Sequence, residues 1–189
     1  MADERDLVDV LVADHVELQS LLETISADPP SAEDEERLAV TIAELVRHLV
    51  VEEDYLYPVA REVVPECAVL VEEALAQSGT TERLAKQIEG SSPGDGHRAA
   101  LLRTFSECVR HHVQTTESTL FPQLREHGTP GDLRRLAGEA EMAKTTAPTR
   151  PHPRAPKTQP WNQILTPGIG IVDRIRDAMT GRPNRPEQL

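Results

Sequence analysis

Four long segments of this chain carry apolar residues at helical spacing, with short turns between them. In the first segment Leu7, Leu11, His15, Leu18 and Leu22 recur at steps of three or four residues, which places them on one face of an α-helix. Similar stripes run through residues of about 32–64, 66–89 and 97–125. Each apolar face must be covered by another, so the pattern predicts an all-α protein built as an antiparallel up-down-up-down four-helix bundle.

The last quarter of the chain differs in composition from the rest. Residues 144–189 hold eight of the fifteen prolines and a net charge of +5, whereas residues 1–143 have a net charge of −17. We therefore predict that the bundle, with a short fifth helix at about 131–143, occupies residues 1–143. Residues 144–189 are predicted to form a Pro-rich basic tail, irregular and extended from about 146 to 166 because proline breaks helices.

Beyond these prolines, the stretch GIGIVDRIRDAMTG indicates a short amphipathic terminal helix. Its apolar residues at approximately helical spacing are Ile169, Ile171, Val172, Ile175 and Met179. The favoured interpretation is that this helix docks on the protein's own acidic body. A helix that binds a partner or touches a membrane is the alternative.

The overall charge and hydropathy argue against several functional classes. A formal net charge of −12 disfavours nucleic-acid binding, because the phosphate backbone requires a basic footprint. No apolar stretch approaches the roughly 18 residues of a membrane span, and the first residues show no secretory signal. Cys67 and Cys108 are then expected as reduced thiols of a cytoplasmic protein. The sequence leaves the oligomeric state open.

Three histidines interrupt the apolar stripes of three different segments: His15, His48 and His112. Glu52 lies four residues after His48 and therefore stacks on the same helix face. A carboxylate turned into an apolar core is costly unless a cation or hydrogen-bond donors compensate its charge. Because inward His and Glu from facing helices are a common way to bind iron or manganese in a bundle, the pattern predicts a metal site.

The second and fourth segments repeat one phrase at a distance of 64 positions, as RHLVVEEDYLYP at 47–58 and HHVQTTESTLFP at 111–122. In both, a histidine precedes a proline by ten residues, but the place of Glu52 is taken by Thr116 in the second copy. Glu117, the next residue, is offset from His112 by about 140° around an ideal helix. It would need a local distortion of the helix to replace the missing carboxylate.

Tyr55 lies seven residues after His48, on the same helix face. Two interpretations are open for its side chain. It could contact a metal or hydrogen-bond Glu52. A tyrosine half-buried at the end of the bundle is the more ordinary interpretation.

Three stretches resemble the haemerythrin-like, or HHE cation-binding, proteins: ADHVELQSLLETI around His15, HLVVEEDYLYP, and HHVQTTESTLFPQL. The resemblance covers roughly residues 4–126. The tail, PHPRAPKTQPWNQILTPGIGIVDRIRDAM, is similar to the C-terminal extension of actinobacterial members. The family implies a four-helix bundle around a carboxylate-bridged pair of non-haem irons that binds oxygen or reacts with peroxide or nitric oxide.

The resemblance also implies a reduced set of metal ligands. The family's ligands fall on His15, His48, Glu52, Glu82 and His112. On the third helix the family's His-x-x-x-Glu lies over Ser78 and Glu82, so its histidine is lost, and Thr116 stands where the fourth helix should supply a glutamate. Three histidines and two carboxylates are enough for one ion of iron, manganese or zinc and are hard to stretch over two.

Two functions follow from these residues. The first is a haemerythrin-like protein that holds one or two non-haem iron ions, with manganese or zinc as alternatives, and offers an open position to oxygen, peroxide or nitric oxide. The second is a metal-free bundle retained as an interaction or scaffold protein. The sequence does not separate turnover of peroxide or nitric oxide from simple binding, and no catalytic residue is assigned.

Restoring the two missing ligands with Ser78→His and Thr116→Glu should raise the capacity from about one toward two ions per chain. Absorption bands of an oxo-bridged iron pair should accompany the second ion. Metal content and absorption spectra of protein from iron-replete medium measure both effects, and the two single variants are the controls. An unchanged capacity in the double variant would contradict the placement of the third-helix motif or the whole ligand assignment.

Overall fold

The chain is described by a computed structural model that covers residues 5–25, 31–153 and 161–189, with side chains from residue 168 onward in the last range. Within these ranges the regular elements are helices, and no described residue lies in a β-strand. The predicted all-α class is confirmed. Among the described helices, none has the length and apolarity that crossing a bilayer requires.

The α-helices follow the predicted segments and extend beyond them. They are α1 (Leu7–Thr24), α2 (Ala32–Val51), α3 (Tyr57–Val63), α4 (Ala68–Glu89), α5 (Gly96–Thr115), α6 (Phe121–His127), α7 (Pro130–Thr146) and α8 (Trp161–Thr180). A 3-10 turn at Pro186–Gln188 lies close to the end of the chain. Two π-helical turns, Glu52–Leu56 and Thr116–Leu120, join α2 to α3 and α5 to α6. The second and fourth predicted segments are therefore long helices that each contain one widened turn.

Reciprocal caps fix where α1 and α2 begin. The Asp6 carboxylate accepts the backbone N–H of Asp9 at 2.8 Å, and the Asp9 carboxylate accepts that of Asp6 at 2.9 Å. Ser31 and Asp34 exchange the same pair of bonds at the start of α2. These caps satisfy N–H groups that have no partner inside the helix.

Two apolar clusters fill the interior where α1 packs along α2 and α4 packs along α5. The first apolar cluster includes Leu7, Leu11, Val51, Leu56, Phe121 and Leu124. The second apolar cluster includes Leu18, Ile42, Leu45, Ile88, Phe105 and Val109. In α1, His15 lies between Leu11 of the first cluster and Leu18 of the second. The predicted metal ligands therefore occupy a level of the core between two apolar regions.

Helix α7 occupies the place of the predicted fifth helix, with the bounds Pro130–Thr146 instead of about 131–143. Thr129 caps its N-terminus: the Thr129 hydroxyl accepts the N–H of Asp132 at 3.2 Å. Leu133, Leu136 and Ala140 join the first apolar cluster, and α7 packs along both α1 and α2. This helix is thus part of the folded body.

The tail lies against the body, but α8 turns its polar side inward. Asp173 and Asp177 are buried, whereas the apolar side chains Ile171, Val172, Ile175 and Met179 are each more than half exposed. Asp177 accepts from the Thr149 hydroxyl at 2.5 Å and from Arg150 Nε at 2.9 Å. Buried donors need acceptors, and these two carboxylates supply them.

Part of the stretch predicted as irregular, from about 146 to 166, is helical in the structure. Helix α7 continues to Thr146, and α8 begins at Trp161. The prediction was therefore wrong at this boundary, and residues 154–160 lie outside the described part of the chain.

Substitution of Asp177 by alanine should destabilise the docked tail. Arg150 and Arg182 both pair with this carboxylate, and its removal leaves two partly buried guanidinium groups short of an acceptor. We expect a loss of about 2–3 kcal/mol in the free energy of unfolding, measured by urea denaturation. Arg176→Ala on the exposed side of α8 is the matched control. Equal stability of the two variants would show that the buried ion pairs do not hold the tail.

Candidate metal centre

Three imidazoles and one carboxylate converge between the two apolar clusters. His15 comes from α1, His48 from α2, His112 from α5 and Glu52 from the first π-helical turn, and each is at most 3% exposed. His48 Nε2 lies 3.2 Å from the Nε2 atoms of His15 and His112. Glu52 Oε1 lies 3.4 Å from His48 Nε2 and 3.3 Å from His112 Nε2. We call these four residues the polar layer.

The spacing of these atoms suits a single metal ion. The four ligand atoms all lie within 4.8 Å of one another. Ligands held about 2.0–2.1 Å from a tetrahedral metal are roughly 3.3 Å from each other, which agrees with the four distances of 3.2–3.4 Å above. Glu52 Oε1 is buried and accepts no hydrogen bond from any described residue. A cation at the centre would satisfy this oxygen and the nitrogen lone pairs together.

Carboxylates outside the polar layer fix the orientation of two histidines. His15 Nδ1 lies 2.8 Å from Glu117 Oε1, and His48 Nδ1 lies 3.3 Å from Asp14 Oδ2. Since an ionised carboxylate only accepts hydrogen bonds, each Nδ1 is the nitrogen that carries the hydrogen. Each Nε2 is then the nitrogen that faces the centre, where it could ligate a metal.

A tyrosine fixes the orientation of Glu52. The Tyr57 hydroxyl donates to Glu52 Oε2 at 2.7 Å, which leaves Oε1 facing the histidines. Tyr57, and not Tyr55, makes this bond because of the π-helical turn. The turn contains one extra residue, so position 57 lies one turn after position 52 on the same side of the helix. The Tyr57 N–H donates to the Glu52 carbonyl in that turn. Tyr55 is partly buried against the first apolar cluster, the more ordinary of its two predicted roles.

Within the polar layer the pKa values of His15 and His48 are shifted in opposite directions. Burial, together with the charge of His48, lowers the pKa of His15 to about 3. Burial also opposes a charge on His48, but the Glu52 and Asp14 carboxylates outweigh it and raise its pKa to about 9. For Glu52, His112 and His48 likewise overcome burial and hold its pKa well below the usual range. Without a cation, His48 carries the compensating proton that a metal ion would replace.

Glu117 reaches the polar layer through the second π-helical turn. The sequence indicates that this residue needs a local distortion of the helix, and the turn at Thr116–Leu120 is that distortion. Its carboxylate bonds the outer nitrogen of His15 and so supports a ligand. Thr116 is buried at the start of the same turn.

The structure gives Glu82 a different partner from the predicted metal. It is not among the four residues that converge. Although Glu82 is buried on α4, its Oε1 accepts the backbone N–H of His152 at 3.2 Å. Ser78, one turn earlier, is also buried and donates to the Ala74 carbonyl. On the side of the core that faces α4, the helix therefore contributes the Ser78 hydroxyl and the Glu82 carboxylate. The tail already donates a hydrogen bond to that carboxylate.

Sequence reasoning missed the supporting residues Asp14, Tyr57 and Lys144. Lys144 Nζ lies 2.6 Å from Asp14 Oδ1, so it belongs to the surroundings of His48. A signal for Tyr57 does exist in the repeat: Pro58 and Pro122 each lie two residues after the last residue of a π-helical turn. Proline has no N–H to continue the regular hydrogen bonding, and its recurrence ten residues after a histidine marks the widened turn.

Comparison with known proteins gives these residues a context. The model of the Hemerythrin HHE cation binding domain matches residues 6–124. The chain belongs to this family. The family resemblance seen in the sequence is thereby confirmed, and the match ends before α7.

Two relatives differ in how much of their length is shared. The chain is 24% identical over 180 residues to an uncharacterized hemerythrin-like protein of Schizosaccharomyces pombe, a match covering 93% of this chain and 87% of that protein. It is 26% identical over 146 residues to a DNA nickase of Nostoc sp., covering 76% of this chain but only 41% of the nickase. No solved structure matches the chain significantly.

Tyr57→Phe should weaken metal binding because Glu52 Oε2 loses its donor and the carboxylate is freed to turn. Loss of an outer-shell hydrogen bond of this kind lowers metal affinity by about 10–100-fold. Titration of the metal-free protein with Co²⁺ in the presence of a competing chelator measures the change. Tyr55→Phe, two residues away and without this bond, is the matched control. If the two variants bind equally tightly, Tyr57 does not position Glu52.

Proposed function

We propose that this protein binds a single non-haem iron ion through His15, His48, Glu52 and His112, within an antiparallel four-helix bundle. The observation that carries the proposal is the convergence of these four ligand atoms in a buried layer, with separations that suit one ion. Imidazole and carboxylate ligands are suited to iron, manganese and zinc. Membership of the HHE cation-binding family favours iron among them.

The protein's own residues prepare the site in advance. Glu52 supplies a negative charge that offsets part of the charge of a divalent cation, and Tyr57 holds it in place. Asp14 and Glu117 accept hydrogen bonds from the outer nitrogens of two histidines, so the inner nitrogens are the ones directed at the ion. The apolar clusters on both sides exclude water, which strengthens each of these interactions.

The other half of the bundle supports a stoichiometry of one. A second ion would need ligands from α4 and from the start of the second π-helical turn, where the chain has Ser78 and Thr116. The Glu82 carboxylate already accepts the N–H of His152. We therefore assign one ion to the site, and not the pair that the family resemblance implies.

Four protein ligands leave room for a further ligand on iron. Three neutral imidazoles and one carboxylate leave a net positive charge on a divalent ion, which favours small electron-rich molecules at an open position. Bound iron supplies reversible one-electron chemistry toward oxygen, peroxide or nitric oxide. We propose binding or sensing of such a molecule as the role of the site.

A second candidate function is an interaction or scaffold role without metal. The exposed apolar side chains of α8 favour it, namely Ile171, Val172, Ile175 and Met179. The DNA nickase activity named for the Nostoc relative is not part of our proposal. Residues 1–143 carry 29 acidic and 12 basic side chains, which is a poor footprint for a phosphate backbone.

Metal analysis of the protein expressed in iron-replete medium tests the two candidates. The wild type should contain about one equivalent of iron, and His48→Ala should lose it because the ion loses its central imidazole. His111→Ala is the matched control, since His111 is exposed and next to His112. Absence of stoichiometric iron, manganese and zinc from the wild type would refute the metal site and favour the second candidate.

A further inference from the structure

Lys144 lies at the outer end of a row of three polar side chains that leads into the polar layer. Its Nζ is 2.6 Å from Asp14 Oδ1, and Asp14 Oδ2 is 3.3 Å from His48 Nδ1. The side-chain exposures are 16% for Lys144, 21% for Asp14 and 0% for His48. The row therefore runs from the edge of the body to the centre of its core.

The two oxygens of Asp14 have different partners, so Lys144 can fix the orientation of the carboxylate toward His48. One oxygen faces the lysine and the other faces His48. A partly exposed aspartate on its own can rotate its carboxylate away from an imidazole. An ammonium group on one oxygen opposes that rotation, since charge-assisted hydrogen bonds are about twice as strong as neutral ones.

The position of Lys144 on α7 brings it to Asp14. It follows Ala140 by four residues and so shares the face of the helix that packs on the body, where Ala140 is fully buried. A lysine on such a face needs an acceptor for its charge. Asp14 provides one, while the neighbouring Glu44 is engaged by Arg47 at 2.7 Å.

We propose that Lys144 is a positioning residue of the metal centre. It holds Asp14, Asp14 fixes the Nδ1–H of His48, and His48 Nε2 is thereby directed at the metal. The inference rests on the proposed function. Helix α7 then supports the metal centre, although it lies beyond residues 6–124 matched by the family model.

Co²⁺ binding to the full-length protein tests this role. The affinity is measured by competition with a chelator, and the visible spectrum of Co²⁺ reports the geometry of its ligands. Lys144→Met should weaken binding about 10-fold and Asp14→Asn about 10–100-fold, as for other outer-shell partners of metal ligands. Lys144→Arg, which keeps the charge, should restore most of the affinity. Lys86→Met is the matched control, because Lys86 forms an exposed ion pair with Glu89.

The double variant Lys144→Met with Asp14→Asn separates positioning from a merely structural role. If Lys144 acts through Asp14, the double variant binds Co²⁺ no more weakly than Asp14→Asn alone. Losses that add together overturn the proposal, and so does a Lys144→Met protein with wild-type affinity and spectrum. Lys144→Ala provides the same comparison if the methionine variant does not fold. A wild type that fails to bind Co²⁺ refutes the proposed function itself, which is a distinguishable result.

Discussion

The buried carboxylate of Glu52 is the constraint on which the rest of the core depends. It is fully buried, and an ionised group in such a place is strongly unfavourable unless it is paired and hydrogen-bonded. Tyr57 meets one oxygen, and two imidazoles face the other. Asp14 in turn holds His48. The buried charge of Glu52 therefore accounts for the polar residues that lie between the two apolar clusters. A cation bound by these groups would complete this arrangement.

The π-helical turns determine which side chains reach that charge. Each turn places one extra residue in an otherwise continuous helix, and such turns are frequent at functional sites. The first brings Tyr57 to Glu52, and the second brings Glu117 to His15. Pro58 and Pro122 follow the two turns at equivalent places. The repeated phrase in the sequence is therefore a repeated backbone deformation as well as a repeated set of ligands.

Sequence reasoning succeeded where regular helical geometry holds and failed where it does not. His15, His48, Glu52 and His112 were placed together because each has the inward phase of an ideal helix. On an ideal helix Tyr55 shares the face of His48, but the extra residue of the π-helical turn brings Tyr57 to Glu52 instead, and a proline is the local signal of that turn. The partners of Glu82 and Lys144 are 70 and 130 residues away along the chain, and no spacing rule reaches them. Helix α8 has an amphipathic sequence pattern, but its aspartates face the body because they accept hydrogen bonds from distant donors such as Thr149 and Arg150.

The wide spacing of the converging histidines has a consequence for how the chain holds together. His15 and His48 are 33 residues apart, and His48 and His112 are 64 apart. An ion shared by all three would act as a cross-link that closes two long loops, and closing such loops restricts the unfolded chain. It would do this at the polar layer, between the two apolar clusters. The metal would then stabilise the fold, in addition to the contacts that His15, His48, His112 and Glu52 already make with one another.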